Sequence, residues 1–148
     1  MKNFFIITLM TGTLKLFCQS SSHGIALNVG DTYINTNAGY AGIEYAYRIN
    51  PHRGCGLDLG VGTYYGSFNN NFKFIPESHL TLSYGIFLGE YSMTPHNINP
   101  SLGIHFLNVV RLKVGYSWEK GNENRGMKGI TFGINCLFGS SGFYDILK

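Results

Sequence analysis

The chain has 148 residues, 44% hydrophobic and 15% aromatic, with 20 glycines, 13% charged residues and a mean hydropathy of zero, a length that bounds it at one domain. Its 11 Phe and 10 Tyr against 11 basic and 8 acidic residues argue against disorder, which goes with high charge and few aromatics. The longest unbroken apolar run, Phe4 to Ile7, is far short of the ~20 residues of a membrane-spanning helix, the glycines show no collagen-like three-residue repeat, and the scattered charges do not suggest a nucleic-acid partner.

The chain begins like a secretory leader. Lys2 gives a short positive start, Phe4 to Leu14 is mostly apolar, and the polar, small-residue segment Gln19 to Ser22 follows. Residues 1–18 therefore read as a signal peptide cleaved near Cys18, and residues 19–148 as one β-barrel domain. A lipoprotein signal acylated on Cys18 is the variant of this reading. Phe17, where that pathway wants a small residue, speaks against it. Lys2 and Lys15 leave with the leader, so most of the net charge of +3 leaves too. Cys55 and Cys136 remain, with no C-x-x-C spacing; isolated thiols are expected ahead of a single disulfide.

Beyond the leader, period-two segments alternate with Asn, Gly and Pro clusters, and no stretch holds a helical period, so the fold class is all-β. The predicted strands run from Ile25 to Tyr33, Ile43 to Ile49, Leu57 to Gly62, Leu80 to Leu88, around Leu102 to Phe106, Val110 to Glu119 and Ile130 to Phe138. Three hairpins follow from matching large residues across plausible turns. A turn at Asn50–Gly54 sets Tyr47 against Leu57, Tyr45 against Leu59 and Ile43 against Val61. A turn at Leu107–Val109, with Asn108 left-handed, sets Phe106 against Val110 and Ile104 against Leu112. A turn at Thr36–Ala38 sets Val29 against Tyr45 and Leu27 against Tyr47. It leaves Asp31 on the apolar face, which suggests a bulge after Gly30 or an early strand end.

Which face is inside decides the function. The second face is mostly glycine, with Ser, Thr, Ala and charges of both signs, which suits a crowded interior better than a solvated exterior. The large-residue face, with Tyr45, Tyr47, Leu57, Leu59, Leu82, Leu88, Val114, Tyr116, Trp118 and Phe132, then makes an apolar belt toward lipid, with Tyr and Trp near strand ends as an interfacial girdle. Glu44, Arg48, Asp58, His105, Arg111, Lys113 and Glu119 fall on the inward face, where they are expected to neutralise one another as a polar plug. His79 shares that face, and no histidine or carboxylate stands at metal-ligand spacing, so no metal or other cofactor is expected.

The glycine-alternating strand Gly56 to Gly62, the run Arg111 to Ser117 and the terminal strand Thr131 to Phe138 resemble the small outer-membrane β-barrels of Gram-negative bacteria, the class of outer-membrane proteins A and X. Thr131, Gly133, Cys136 and Phe138 are similar to that family's C-terminal assembly signal, although Cys136 stands where a larger hydrophobic residue is usual and ten residues follow Phe138. The resemblance implies an antiparallel up-and-down transmembrane barrel of about eight strands in the outer membrane. Outer-membrane lipid and the barrel assembly machinery are its implied partners. Seven strands are legible; the eighth is expected in the tail from Phe143 to Leu147, in Phe68 to Ile75 or in Tyr91 to Ile98.

Such a barrel is filled by its side chains, so a structural or surface-interaction role is expected rather than an open pore. An unidentified surface ligand would meet loops such as Ser67 to Glu77, with Asn69, Asn70 and Asn71, and Lys120 to Lys128, with Glu123 and Arg125. Some small barrels of this family are lipid-modifying enzymes. This chain has no His-x-Ser, and nothing in the spacing singles out Ser67, His79 and Asp58 as a catalytic set, so no catalytic residue is assigned. The alternatives are a secreted or periplasmic soluble β-barrel binding an apolar ligand and, behind it, a lipid-modifying barrel enzyme.

Overall fold

Alternation of large apolar with small or polar residues, rich in Tyr, Phe, Ile and Val, is what a strand with two unlike faces requires, and it builds eight of them. In a computed structural model that describes residues 23–50, 55–68, 70–107, 109–121 and 127–139, these are β1 (His23–Ile34), β2 (Asn37–Asn50), β3 (Cys55–Phe68), β4 (Asn71–Tyr84), β5 (Phe87–Met93), β6 (Asn97–Phe106), β7 (Val110–Glu119) and β8 (Gly129–Gly139). Each pairs antiparallel with the next, and β8 closes on β1, giving an up-and-down barrel. Closure leaves no free sheet edge along the paired length.

The ladders fix the barrel's girth. From Gly24 the paired row runs through Ala46, Asp58, Thr81, Glu90, Ser101, Gly115 and Thr131 and returns to β1 at Ile34, ten residues along. That stagger over eight strands tilts them by roughly 40° and leaves an interior just wide enough for side chains to fill. One end carries the β1–β2, β3–β4, β5–β6 and β7–β8 connections, here termed the turn end; His23 and Gly139 lie at the other, the terminal end. Ladder pairing of β4 with β5 begins only at Ser78, so the β3–β4 hairpin projects past β5 at the turn end.

Two of the three expected hairpins have the expected register. Tyr47 faces Leu57, Tyr45 faces Leu59 and Ile43 faces Val61, while Phe106 faces Val110 and Ile104 faces Leu112. Positive φ falls at Leu107 in the latter turn, and Asn108 lies outside the described residues. The first hairpin is corrected. Its turn is Asn35–Thr36, with Asn35 left-handed at φ 57°, so Leu27 faces Ile43 and Val29 faces Ala41. A short left-handed Asn turn lets the strands run on without a break. Asp31 therefore sits on an unbroken strand, paired with Gly39 and Ile134 and pointing outward.

The eighth strand arises from a run read as one. The predicted strand Leu80 to Leu88 is broken by the turn Gly85–Ile86, with Gly85 at φ 60°, and its two parts belong to β4 and β5. Tyr84 and Phe87 face each other across that turn, so the alternation restarts and Leu88 points inward, 4% exposed, instead of joining the outer belt. Likewise Ser67 to Glu77 is no loop: Ser67 and Phe68 end β3 and Asn71 to Glu77 belong to β4, with Asn70 in the turn before it. The leader with Cys18, the turn residues 51–54, Asn69, Glu123, Arg125 and the tail from Phe143 to Leu147 lie outside the described residues.

Candidate functional site

The barrel wall sorts side chains by chemistry. Every Asp, Glu, Lys and Arg on a strand except Asp31 lies on the inward side of its strand's alternation, with Lys73 and Glu119 at the turn-end rim. Leu102 is 71% exposed and Val61 64%, whereas Glu44 is 0%, Asp58 1% and Arg111 4% exposed. This inverts the distribution of a water-soluble protein.

Inside, the charges form one connected network (Glu44 and Arg48 from β2, Asp58 from β3, Glu77 and His79 from β4, Arg111 from β7). The Arg48 guanidinium donates to Asp58 at 2.9 Å, and Arg111 bridges Asp58 at 2.6 Å and Glu44 at 2.8 Å. Glu44 also accepts from the amide of Asn28, which in turn accepts from Asn135 at 2.8 Å. The His79 ring lies between two carboxylates, Nε2 at 3.0 Å from Glu44 and Nδ1 at 3.0 Å from Glu77, and the Tyr40 hydroxyl donates to Glu77 at 3.0 Å. Beside this chain, Glu90 accepts from Lys113 at 2.6 Å and from the Thr81 hydroxyl at 3.2 Å. Buried charges are tolerated when each is paired, and four carboxylates here face Arg48, Arg111, Lys113 and His79.

Glycines make room for these large groups. A Cβ at Gly60 would overlap the His79 ring, and one at Gly62 the Tyr40 ring. Toward the turn end the interior becomes apolar: Ile34, Ala38, Tyr40, Tyr64, Phe68, Ile75 and Met127 pack together. A smaller group, Ala26, Ala46 and Leu137, lies toward the terminal end.

All seven residues expected in the polar plug point inward. Glu44, Arg48, Asp58, Arg111 and Lys113 share the ionic clusters; Glu119 instead accepts from the Met127 amide at 3.0 Å, and His105 lies beside Arg111 across the β6–β7 ladder. Sequence reasoning missed Glu77 and Glu90, the first assigned to a loop and the second to no strand. The signal was present: Glu77, His79, Thr81 and Ser83 alternate with Ser78, Leu80, Leu82 and Tyr84. Ser67 points outward while Asp58 and His79 point inward, so these three do not assemble. Cys55 and Cys136 are free thiols. Among the described residues no group of three or more His, Cys, Asp or Glu is placed to hold a metal ion.

On the outside, Tyr45, Tyr47, Leu57, Leu59, Leu82, Val114, Tyr116, Trp118 and Phe132 face outward. Aliphatic residues such as Leu59, Val61, Leu80, Leu102 and Leu112 occupy the middle of the wall. Most outward aromatic residues gather at the ends: Tyr33, Tyr65, Phe72, Phe74, Tyr116, Trp118 and Phe132 toward the turn end, Tyr47, Tyr84, Phe87, Phe106 and Phe138 at the other, while Tyr91, which faces Leu80, lies near mid-wall. Of the terminal-strand signal, Thr131 and Gly133 alternate inward and Cys136 and Phe138 outward. Comparison with protein-family models, with curated proteins and with solved structures found no match.

Proposed function

We propose that this chain is a small outer-membrane β-barrel with a structural or surface-interaction role, embedded in lipid along its outer wall and closed to diffusion by its own side chains. The observation that carries this reading is the outward apolar wall with an aromatic ring at each end. Exposed apolar patches beyond a few hundred Å² are rare on soluble monomers, whereas an apolar band flanked by aromatic girdles is what a lipid bilayer selects. The ionic interior supports the same reading against a soluble barrel for an apolar ligand, which needs an apolar lining. Surface contacts fall to the turn end, where the projecting β3–β4 hairpin exposes Phe72, Lys73 and Phe74 and where the connection after Lys120 runs to Lys128. The Thr131–Phe138 strand, with its outward Phe138, is the segment offered to the assembly machinery.

Cell fractionation followed by gel mobility with and without boiling tests the reading. A detergent-dependent, heat-modifiable band in the membrane fraction is expected; recovery in the soluble fraction without detergent would overturn it. Planar-bilayer recordings are expected to show no stable large conductance, and a reproducible open channel would refute the plug.

A further inference from the structure

Among the described residues Asp31 is the one Asp, Glu, Lys or Arg of a strand on the outward side of the barrel. It lies two residues from Tyr33 on β1, about 5 Å from the turn-end aromatic ring toward the middle of the wall at the rise and tilt of such a strand. An ionisable side chain within a lipid-facing band is costly, and one that is present calls for a counter-charge. Among the described residues none makes an ion pair or hydrogen bond with its carboxylate. Lys113, which lines the same groove as Asp31, has its ammonium bound by Glu90 at 2.6 Å.

The carboxylate opens into a groove of about 400 Å³ on the outer surface, lined by Tyr33, Asn37 and Phe132, which faces Tyr33 across the ladder, toward the turn end, by Ile134 and Leu112 toward the middle, and by Lys113 between the strands. On the other flank Gly39 faces Asp31 across the ladder, and the Tyr65 ring lies over Gly39. The groove is thus acidic and aromatic at one end and aliphatic at the other. A carboxylate beside aromatic rings favours an organic ammonium, and the aliphatic end accepts methylenes.

We propose that this groove binds a phospholipid with a primary ammonium headgroup, the ammonium at Asp31 and the first part of an acyl chain along Ile134 and Leu112. A lipid of the turn-end leaflet has this polarity, with its head toward the aromatic ring and its chains toward the middle. The proposal rests on the membrane reading above.

Native mass spectrometry of the full mature chain, released from bilayers of equal phosphatidylethanolamine and phosphatidylglycerol with matched chains, tests it. Retention of phosphatidylethanolamine by about fivefold over phosphatidylglycerol is expected, the size of one exposed ion pair at its upper end. The preference is expected to vanish in Asp31→Asn, to persist in Asp31→Glu and to weaken in Phe132→Ala. Asp31→Asn removes a charge from the wall and is expected to fold at least as well as the parent. Equal retention of the two lipids, or a preference unchanged in Asp31→Asn, would overturn the proposal; so would Asp31-dependent co-purification of a second protein without any lipid preference. Quenching of Trp118, the only tryptophan, by brominated phosphatidylcholine reports insertion separately. Insertion without headgroup preference sinks this proposal alone, and no quenching sinks the membrane reading with it.

Discussion

Arg111 joins two carboxylates from different strands, Glu44 on β2 and Asp58 on β3, and all three are almost wholly buried. Removing the arginine leaves both acids facing each other without their shared partner, the costly half of a buried ion pair. Arg111→Met is expected to lower stability by about 3–5 kcal/mol in denaturant unfolding of the detergent-solubilised protein; a loss under about 1 kcal/mol would show that the network is not formed. Glu119 at the rim is a contrast. It accepts the Met127 amide, and Glu119→Gln, which keeps an acceptor, is expected to cost less than about 1 kcal/mol. The inward placement of these residues was legible because Glu44, Arg48, Asp58, Arg111 and Lys113 all sit at polar positions of clear alternations. Their pairing was not, because partners such as Glu44 and Arg111 lie 67 residues apart and meet only once the barrel closes.

At the scale of the element, the turn between β4 and β5 decides how the strand count and the faces come out. Gly85 sits at φ 60° with open space where a Cβ would stand, so only backbone strain opposes a side chain there. Gly85→Val is expected to cost about 1–2 kcal/mol, the penalty of the left-handed region for an ordinary residue, and Gly85→Asn distinctly less, because Asn tolerates that region; equal effects of the two would contradict the turn. This turn also explains what sequence reading lost. Leu80, Leu82, Tyr84, Ile86 and Leu88 keep a perfect period of two across it, yet a reversal at Gly85–Ile86 puts Phe87 outside and Leu88 inside. Periodicity reports faces within a strand and is blind to a tight reversal that lacks the usual Asn-Gly pair. The β2–β3 and β6–β7 registers were recoverable because large residues met large residues on both sides of their turns. At the first hairpin, Val29 and Leu27 could match either of two sets of residues on β2, and the left-handed Asn35 decided between them.

At the scale of the whole molecule, the barrel carries charge within and apolar surface without, so its stability depends on which solvent meets the wall. Leu59 is outward near mid-wall and 52% exposed. In lipid, Leu59→Arg is expected to destabilise the barrel by about 2–4 kcal/mol; in water the same change on an exposed face would fall within about 0.5 kcal/mol. Equilibrium unfolding from lipid vesicles separates the two.

Lipid contact along the outward face is proposed here, and spin labels read it directly. With Cys55 and Cys136 replaced by serine, single labels at Leu59, Leu82, Leu102 and Val114 in bilayer-reconstituted protein are to be relaxed with oxygen, which partitions into lipid, and with a water-soluble nickel chelate. Relaxation by oxygen with little effect of the chelate at all four positions is the predicted result. Strong relaxation by the chelate at those positions would place the wall in water and overturn the proposed lipid contact.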